Sequence, residues 1–418
     1  MTAERDALAT PIAGPRRAAF AFIFITVLLD MLALGLIMPV LPKLIASFTG
    51  NDTADAARIF GLFATSWALM QFIFAPLLGA LSDRFGRRPV VLLSNFGLAV
   101  DYLLMAFAPS LIWLFIGRLM SGATAASIST SFAYLADITP AEKRAAAFGK
   151  VGAAFGAGFI LGPALGGLLG QIDLHMPFYV AAALSLANAL YGFFVLPESL
   201  PPERRAAFSW RRANPVGSLS LLATRPGLLG LATVNFGTQI AHTVLPSVYV
   251  LYAGYRYGWN ELAIGLSLAF VGLASVLTRW FVVGPAVARL GERNAIMLGF
   301  TSGIAGFLII ALVPNGVWAM ICIVPLSLWS VADPALQGMM TRLVGQDEQG
   351  RLQGANVSVQ SIAQLIGPFL FTLTFALFIG TSAPWTMPGA PFLLAAILLG
   401  LTLVFAARTI ATIRSPSA

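Results

Sequence analysis

The sequence predicts an all-α membrane protein of twelve transmembrane helices arranged as two six-helix halves. Three observations predict it. Charged residues make up only 10% of the chain and hydrophobic residues 58%, whereas an ordinary soluble protein carries about 25% charge. Lipid solvates an apolar exterior, so this composition suits a chain that crosses a bilayer many times. Apolar stretches of about 20 residues, enough to cross the hydrocarbon core as a helix, recur along the whole length. Finally, short strings repeat at a separation of half the chain.

The polar segment 1–17 contains Pro11 and Pro15. The apolar stretch after it is too long for a signal-peptide core and reads as a retained first helix. The expected spans are 18–44, 57–81, 89–109, 111–136, 144–170, 175–196, 225–252, 260–283, 293–313, 315–344, 350–380 and 387–408. Pro325, Pro334 and Pro368 fall in the two long late spans and predict kinks or extensions beyond the lipid. An even number of spans puts both termini on one side. With that side as the cytoplasm, its segments hold 20 of the 25 Lys and Arg residues. The outer loops hold Lys43, Arg58 and Arg256, and Arg118 and Arg279 fall inside spans. The positive-inside rule therefore places both termini in the cytoplasm.

Val40-Leu41-Pro42 returns as Val244-Leu245-Pro246, 204 residues later. Gly79-x4-Arg84-x-Gly86-x-Arg88 returns as Gly284-x4-Arg289-x-Gly291-x-Arg293, and Gly162-Pro163 as Gly367-Pro368, both at 205. Three matches in order indicate a duplicated six-helix unit. The chain then divides into a cytoplasmic segment 1–17, a first half 18–196, a linker 197–224 with four prolines, a second half 225–408 and a tail 409–418. A parallel repeat of this kind places a substrate site at the interface of the halves.

Three acids lie inside spans: Asp30, Asp101 and Asp333. A charge at mid-membrane costs about 2.5–3.5 kcal/mol on insertion scales, so such residues face a cavity or a partner. At 1.5 Å per residue, Asp101 and Arg118 lie roughly 12 and 9 Å from the outer surface and Asp30 roughly 18 Å. Arg118 can therefore pair with either acid. A carboxyl that alternates between an apolar setting and an arginine changes its proton affinity, as a proton carrier requires. Polar stripes mark helix faces turned from lipid: Gln353, Asn356, Gln360 and Gln364 on the eleventh span, Asn235, Gln239 and His242 on the seventh, and Asp333 with Gln337 on the tenth. Each stripe reads as cavity lining or as interhelical hydrogen bonding. The glycines of the fifth span, Gly152 to Gly170, read as close helix packing, with Pro163 permitting a bend.

Cys322 is the only cysteine, and the histidines are His175 and His242. No disulfide can form within the chain, and no Cys/His zinc site is expected. Basic residues are scattered between apolar segments, unlike a nucleic-acid-binding face. No GxxxxGK[ST] loop is present to bind ATP. The paired Gly-x-Gly-Asp setting of an intramembrane aspartyl protease is also missing, since no Gly-Asp dipeptide occurs.

These motifs together resemble the major facilitator superfamily. Gly79-Ala-Leu-Ser-Asp83-Arg84-Phe-Gly86-Arg87-Arg88-Pro89 is similar to its signature between the second and third spans. Gly158-x3-Gly162-Pro163-x2-Gly166-Gly167 resembles the fifth-span motif of drug/proton antiporters. Gly117-Arg118-x3-Gly122 resembles the fourth-span motif, whose arginine is implicated in proton transfer. Leu29-Asp30 through Pro42, Val100-Asp101-Tyr102, Pro334-Ala-Leu-Gln337 and Gln349-Gly350-x-Leu352-Gln353-Gly354 look like the tetracycline efflux proteins. Those pumps carry an acid in the ninth span and a histidine in the eighth, where this chain has Gly303 and Ser275. Asp333 stands where a typical pump has an apolar residue, and Arg279 is an extra intramembrane charge.

The resemblance implies proton-coupled efflux of amphipathic small molecules, tetracycline-like compounds among them, by a cofactor-free monomer in the cytoplasmic membrane. A proton-coupled importer on the same fold is the alternative, and the Gly162-Pro163 motif favours antiport. The expected proton-coupling and substrate residues are Asp30, Asp101, Arg118, Asp333, Gln239, His242, Gln337, Gln360 and Gln364. The expected gating residues are Gly79, Asp83, Arg84, Gly86, Arg87, Arg88, Gly162 and Pro163.

Overall fold

The structure is a computed structural model that describes residues 13–208, 214, 217–345, 348–381, 383 and 385–414. Most of the expected N-terminal segment, part of the linker and the end of the tail lie outside the described residues. Within them, every regular element is helical. Among the described residues, ten continuous helical stretches are long and apolar enough to cross a membrane by length and composition.

Several expected spans are interrupted. The first divides into α1 (Ala13–Ile37) and α2 (Leu41–Phe48), because Pro39 and Pro42 cannot donate to an unbroken ladder. After α3 (Thr53–Phe85) and α4 (Arg87–Ala106), the fourth divides into α5 (Leu111–Thr124) and α6 (Ser127–Ile138). There the Ala126 N–H turns back to Thr124 C=O at 2.7 Å. The fifth and sixth are α7 (Ala141–Ile172) and α8 (Met176–Val195). Pro163 leaves α7 a single helix. The seventh divides at Thr243 into α9 (Pro226–His242) and α10 (Val244–Tyr257).

Conversely, the eighth and ninth spans run on without a loop. α11 (Glu261–Thr278) passes through a π-turn at Arg279–Val283 into α12 (Gly284–Leu312), and a non-helical Gly291 (φ 72, ψ 162) marks the reversal. The tenth comprises α13 (Gly316–Ala319), a 3-10 turn, α14 (Ile323–Trp329) and α15 (Ala332–Arg342). α16 (Gln349–Ile379) and α17 (Ala390–Arg414) complete the chain.

Large apolar side chains cover the outside. Phe194 is 79% exposed, Trp280 71% and Phe107 70%. A water-soluble surface does not tolerate apolar exposure on this scale, whereas a lipid-facing one requires it.

One end of the bundle is marked by the linker, where the Ala206 N–H donates to Asp83 C=O at 3.0 Å. The start of α9 and the end of α17 meet at this linker face, where a Cβ on Gly227 would lie 3.1 Å from Ile413. Lys43, Trp259 and Glu261 lie on the opposite face. There α3 packs against α16 so closely that a Cβ on Gly61 would overlap Thr372 Oγ1. α7 approaches α11 with the same intimacy, Gly265 against Pro163 C=O. Between α1 and α7, Gly35 meets Gly162, where a Cβ on either glycine would lie under 3 Å from the other backbone. The packing motif in the fifth span thus serves as close helix contact.

Candidate functional site

A cavity of about 1160 Å³ enters the bundle from the linker face. Gly79, Asn214, Gly217 and Arg351 surround its mouth, and Asp30, Trp67, Tyr102 and Gln364 lie deeper. The walls differ in chemistry. One, from α1, α3, α4, α5 and α6, is aromatic and acidic, with Trp67, Phe72, Tyr102 and Phe132 as well as Asp30. The other, from α16, is hydrogen-bonding and, beyond Arg351 at the mouth, neutral, with Ser358, Gln360, Ser361 and Gln364. Opposite the mouth, the glycine contacts at Gly61 and Gly265 close the bundle.

Asp30 is 5% exposed and accepts a hydrogen bond from Ser127 Oγ at 2.5 Å. Its contact is thus a hydroxyl, and Arg118 is not its direct partner. Asp101 is fully buried behind Tyr102, its carboxylate against Gly117, where a Cβ would lie 2.7 Å from Oδ1. Asp101 and Arg118 act on each other electrostatically. Ser121 lies within reach of the Asp101 carboxylate, and among the described residues no hydrogen bond joins Asp101 to Arg118. The Arg118 guanidinium instead lies 5.2 Å from the centre of the Trp67 ring, a cation–π contact. Trp67 therefore touches Arg118 and also lines the cavity.

The residues after the linker distribute differently. Gln360 and Gln364 line the cavity. Gln239 and Gln337 belong instead to an amide chain: Gln239 Nε2 to Asn235 Oδ1 (3.4 Å), Asn235 Nδ2 to Asn356 Oδ1 (3.3 Å), and Asn356 Nδ2 to Gln337 Oε1 (2.9 Å). This chain ties α9, α16 and α15 together, so these amides act as interhelical hydrogen bonds. His242 stacks on Trp329 with ring centres 3.8 Å apart and planes at 6°. Asp333 and Arg279 are both close enough to act on His242. They form no ion pair with each other among the described residues, and Arg279 is exposed. Gly303 is packed tight: a Cβ there would lie 2.7 Å from Leu399 and 3.0 Å from the Trp329 ring. Ser275 Oγ donates to Val271 C=O at 2.8 Å.

At the linker face, Arg87 binds Asp83 (2.5 Å) and Asp137 (3.2 Å). Arg88 donates to Phe193 C=O at 2.6 Å, and Arg84 lies over Phe85. Gly86 adopts φ 109, and a Cβ there would overlap the Glu198 carboxylate. That carboxylate accepts from the Arg87 N–H at 2.8 Å and caps the start of α4. Sequence reasoning missed Ser127, Trp67 and Glu198. Neutral hydroxyls are common in apolar helices, and Glu198 reaches its partners across 111 positions.

The Major Facilitator Superfamily model matches residues 23–368. A tetracycline resistance protein of class C from Escherichia coli is 41% identical over 351 residues, 84% of this chain and 88% of that protein. A class G protein from Vibrio anguillarum is 39% identical, over 92% of this chain and 96% of its own. Among solved structures, the human organic anion transporter MFSD10 (TETRAN) is 25% identical, with a TM-score of 0.68, 94% of this chain covered and 99% of that one. A bacterial homologue of the human lysosomal transporter Spinster is 15% identical with a TM-score of 0.77, covering 97% of this chain and 100% of that one, and shows the shared fold. The chain is a multi-pass membrane transporter, not an enzyme, and belongs to the major facilitator superfamily, in the group that contains the tetracycline resistance proteins.

Proposed function

We propose that the protein exports amphipathic small molecules, tetracycline-like compounds among them, in exchange for protons across the cytoplasmic membrane. The observation that carries this reading is Asp30, a buried acid on the wall of a large aromatic-and-amide cavity. An apolar cavity with a few placed polar groups takes up an amphipathic ligand. A carboxyl on its wall couples ligand to proton if only one of the two is held at a time.

In this reading the chain is a cofactor-free monomer of twelve spans in two six-helix halves, and the linker face is cytoplasmic with both termini on it. The arrangement is then inward-open: the cavity loads from the cytoplasm, the bundle turns outward, and protonation of Asp30 releases the substrate. Asp101 and Arg118 behind Tyr102 form a second proton site that changes partners during the cycle. Gly303 and Ser275 bear on the choice of drug, because the ninth-span position is filled by Trp329 and Leu399 and has no room for an acid.

The test is proton release by purified protein in detergent on addition of tetracycline and other amphipathic compounds. Binding should release protons from wild type and none from Asp30→Asn. Release by Asp30→Asn equal to wild type would reject the role of this acid. Transport into or out of proteoliposomes under an imposed pH gradient then separates export from import.

A further inference from the structure

Asp30 has two buried polar neighbours that proton exchange alone leaves unexplained. Ser127 Oγ lies 2.5 Å from Asp30 Oδ2 and 2.8 Å from Asn95 Oδ1. A hydroxyl has one hydrogen, so Ser127 serves only one of these oxygens at a time. When Asp30 is ionised, its carboxylate is the stronger acceptor and takes that hydrogen. Asn95 Oδ1 is then left facing an oxygen. When Asp30 is neutral, its own O–H donates to Ser127 Oγ, and Ser127 donates onward to Asn95 Oδ1. Every oxygen along this line is then satisfied. Asn95 Oδ1 faces Ser127, and its Nδ2 has no hydrogen-bond partner among the described residues.

Ser127 also occupies a mechanical position. It is the first residue of α6, directly after the turn that breaks the fourth span. Near the far end of α6, Asp137 accepts from Arg87 Nε and from Ser199 Oγ, both at 3.2 Å. Between them, the Tyr134 hydroxyl donates to Pro197 C=O at 2.8 Å. α6 has 12 residues, about 18 Å of helix. It is thus pinned to Asp30 at one end and to the linker-face charges at the other.

We propose that Ser127 and Asn95 are positioning residues that read the protonation of Asp30 and pass it through α6 to the Arg87–Asp137 contact. The inference rests on the proton-coupled reading of Asp30. The other ionisable groups nearby are Tyr102 and Asp101 on α4 and Arg118 on α5; Tyr102 feels Asp30, Asp101 and Arg118 alike. Close to Asp30 the remaining helices against α1 contribute neutral contacts, Gly158 of α7 against Leu28–Leu32 and Asn188 of α8 against Thr26, and the Lys150 ammonium of α7 lies farther along α1, over the Phe20 ring.

The experiment is an infrared pH titration of the full-length protein in liposomes, with no substrate. The Asp30 carboxyl band is identified by its loss in Asp30→Asn. Ser127→Ala removes the donor to the carboxylate, so the band should titrate about one pH unit more alkaline, a tenfold change in proton affinity. Asn95→Leu leaves the serine hydrogen to the carboxylate alone, so the band should move about one unit acid. Ser127→Thr keeps the hydroxyl and should titrate as wild type. Hydrogen exchange of the α6 amides should change across the titration in wild type and stay constant in Ser127→Ala and Asn95→Leu. The inference is overturned if a titrating band is unmoved by both variants or moves the same way in both, or if α6 exchange still follows pH in them. A wild-type Asp30 band that does not titrate overturns the inference and the proton-coupled reading together.

Discussion

Lys43 Nζ lies 2.8 Å from Glu261 Oε1 and 3.2 Å from Trp259 C=O. A lysine that follows the Val40-Leu41-Pro42 string thereby clasps the start of α11, 218 positions away. Among the described residues, no other ion pair joins a helix before the linker to a helix after it. The pair sits on the face opposite the cavity mouth, and its side chains are about four-fifths buried, at 20% and 21% exposure. It holds the bundle closed on that face.

Removing either partner should therefore open that face more often. A partly exposed pair is worth about 1 kcal/mol, roughly a fivefold change in population. With Cys322 replaced by alanine and a cysteine placed at Gln364, labelling from the opposite face should rise about fivefold in Lys43→Met and in Glu261→Gln. The reversed pair Lys43→Glu with Glu261→Lys should restore low labelling. Unchanged labelling in the single variants would mean that glycine packing alone closes this face.

Gly86 and Gly291 occupy equivalent positions of the repeated motif and share a left-handed backbone, φ 109 and φ 72. Only Gly86 is crowded, by the Glu198 carboxylate; nothing lies within 4 Å of a Cβ on Gly291. Gly291→Ala should cost about 1 kcal/mol from backbone strain alone. Gly86→Ala should cost about 3 kcal/mol, because it also displaces the carboxylate that caps α4. Thermal unfolding in detergent measures both. Equal losses would show that the cap at Glu198 contributes nothing.

Some of this site was legible in the sequence and some was not, for physical reasons. An acid in an apolar span is costly, so Asp30 announced itself, and the cavity wall is where it lies. The stripe on the eleventh span gave the polar side of α16 but not what it meets: Gln360 and Gln364 reach the cavity, whereas Asn356 turns to Asn235 and Gln337. Periodicity reports a face and is silent on the neighbour. The breaks at Thr243 and Ala125–Ala126 also escaped, because apolar composition continues through them. Ser127 gains significance only from Asp30 and Asn95, 97 and 32 positions away.

Two ion pairs lie at the spacing of the repeated motif with their charges exchanged. Arg87 binds Asp137, and Glu292 binds Arg342, each residue 205 positions after its counterpart. Reversing the second pair, Glu292→Arg with Arg342→Glu, should leave stability within about 0.5 kcal/mol of wild type. Reversing the first, Arg87→Glu with Asp137→Arg, should not be neutral. Asp83 also binds Arg87, and Glu at that position would face it as a like charge, whereas the counterpart of Asp83 is Ala288. Unfolding temperatures of the two double variants decide the matter; equal values would mean that Asp83 does not depend on Arg87.

Asp333 gives the last prediction. If this acid only held the helices after the linker together, it would need a fixed cation, and Arg279 is the other charge expected inside their spans. The two form no ion pair among the described residues, and Arg279 lies exposed on the π-turn beside Trp280 and Phe281. Both act on His242, which is held against Trp329 by stacking. Asp333 is only half-buried, so neutralising it strands no buried partner. Asp333→Asn should therefore fold and insert like wild type, within about 0.5 kcal/mol, and lose proton-coupled transport. Adding Arg279→Ala should not bring transport back. If Asp333→Asn is unstable and the double variant recovers both expression and transport, the acid is half of a structural bridge, and it plays no part in handling the substrate.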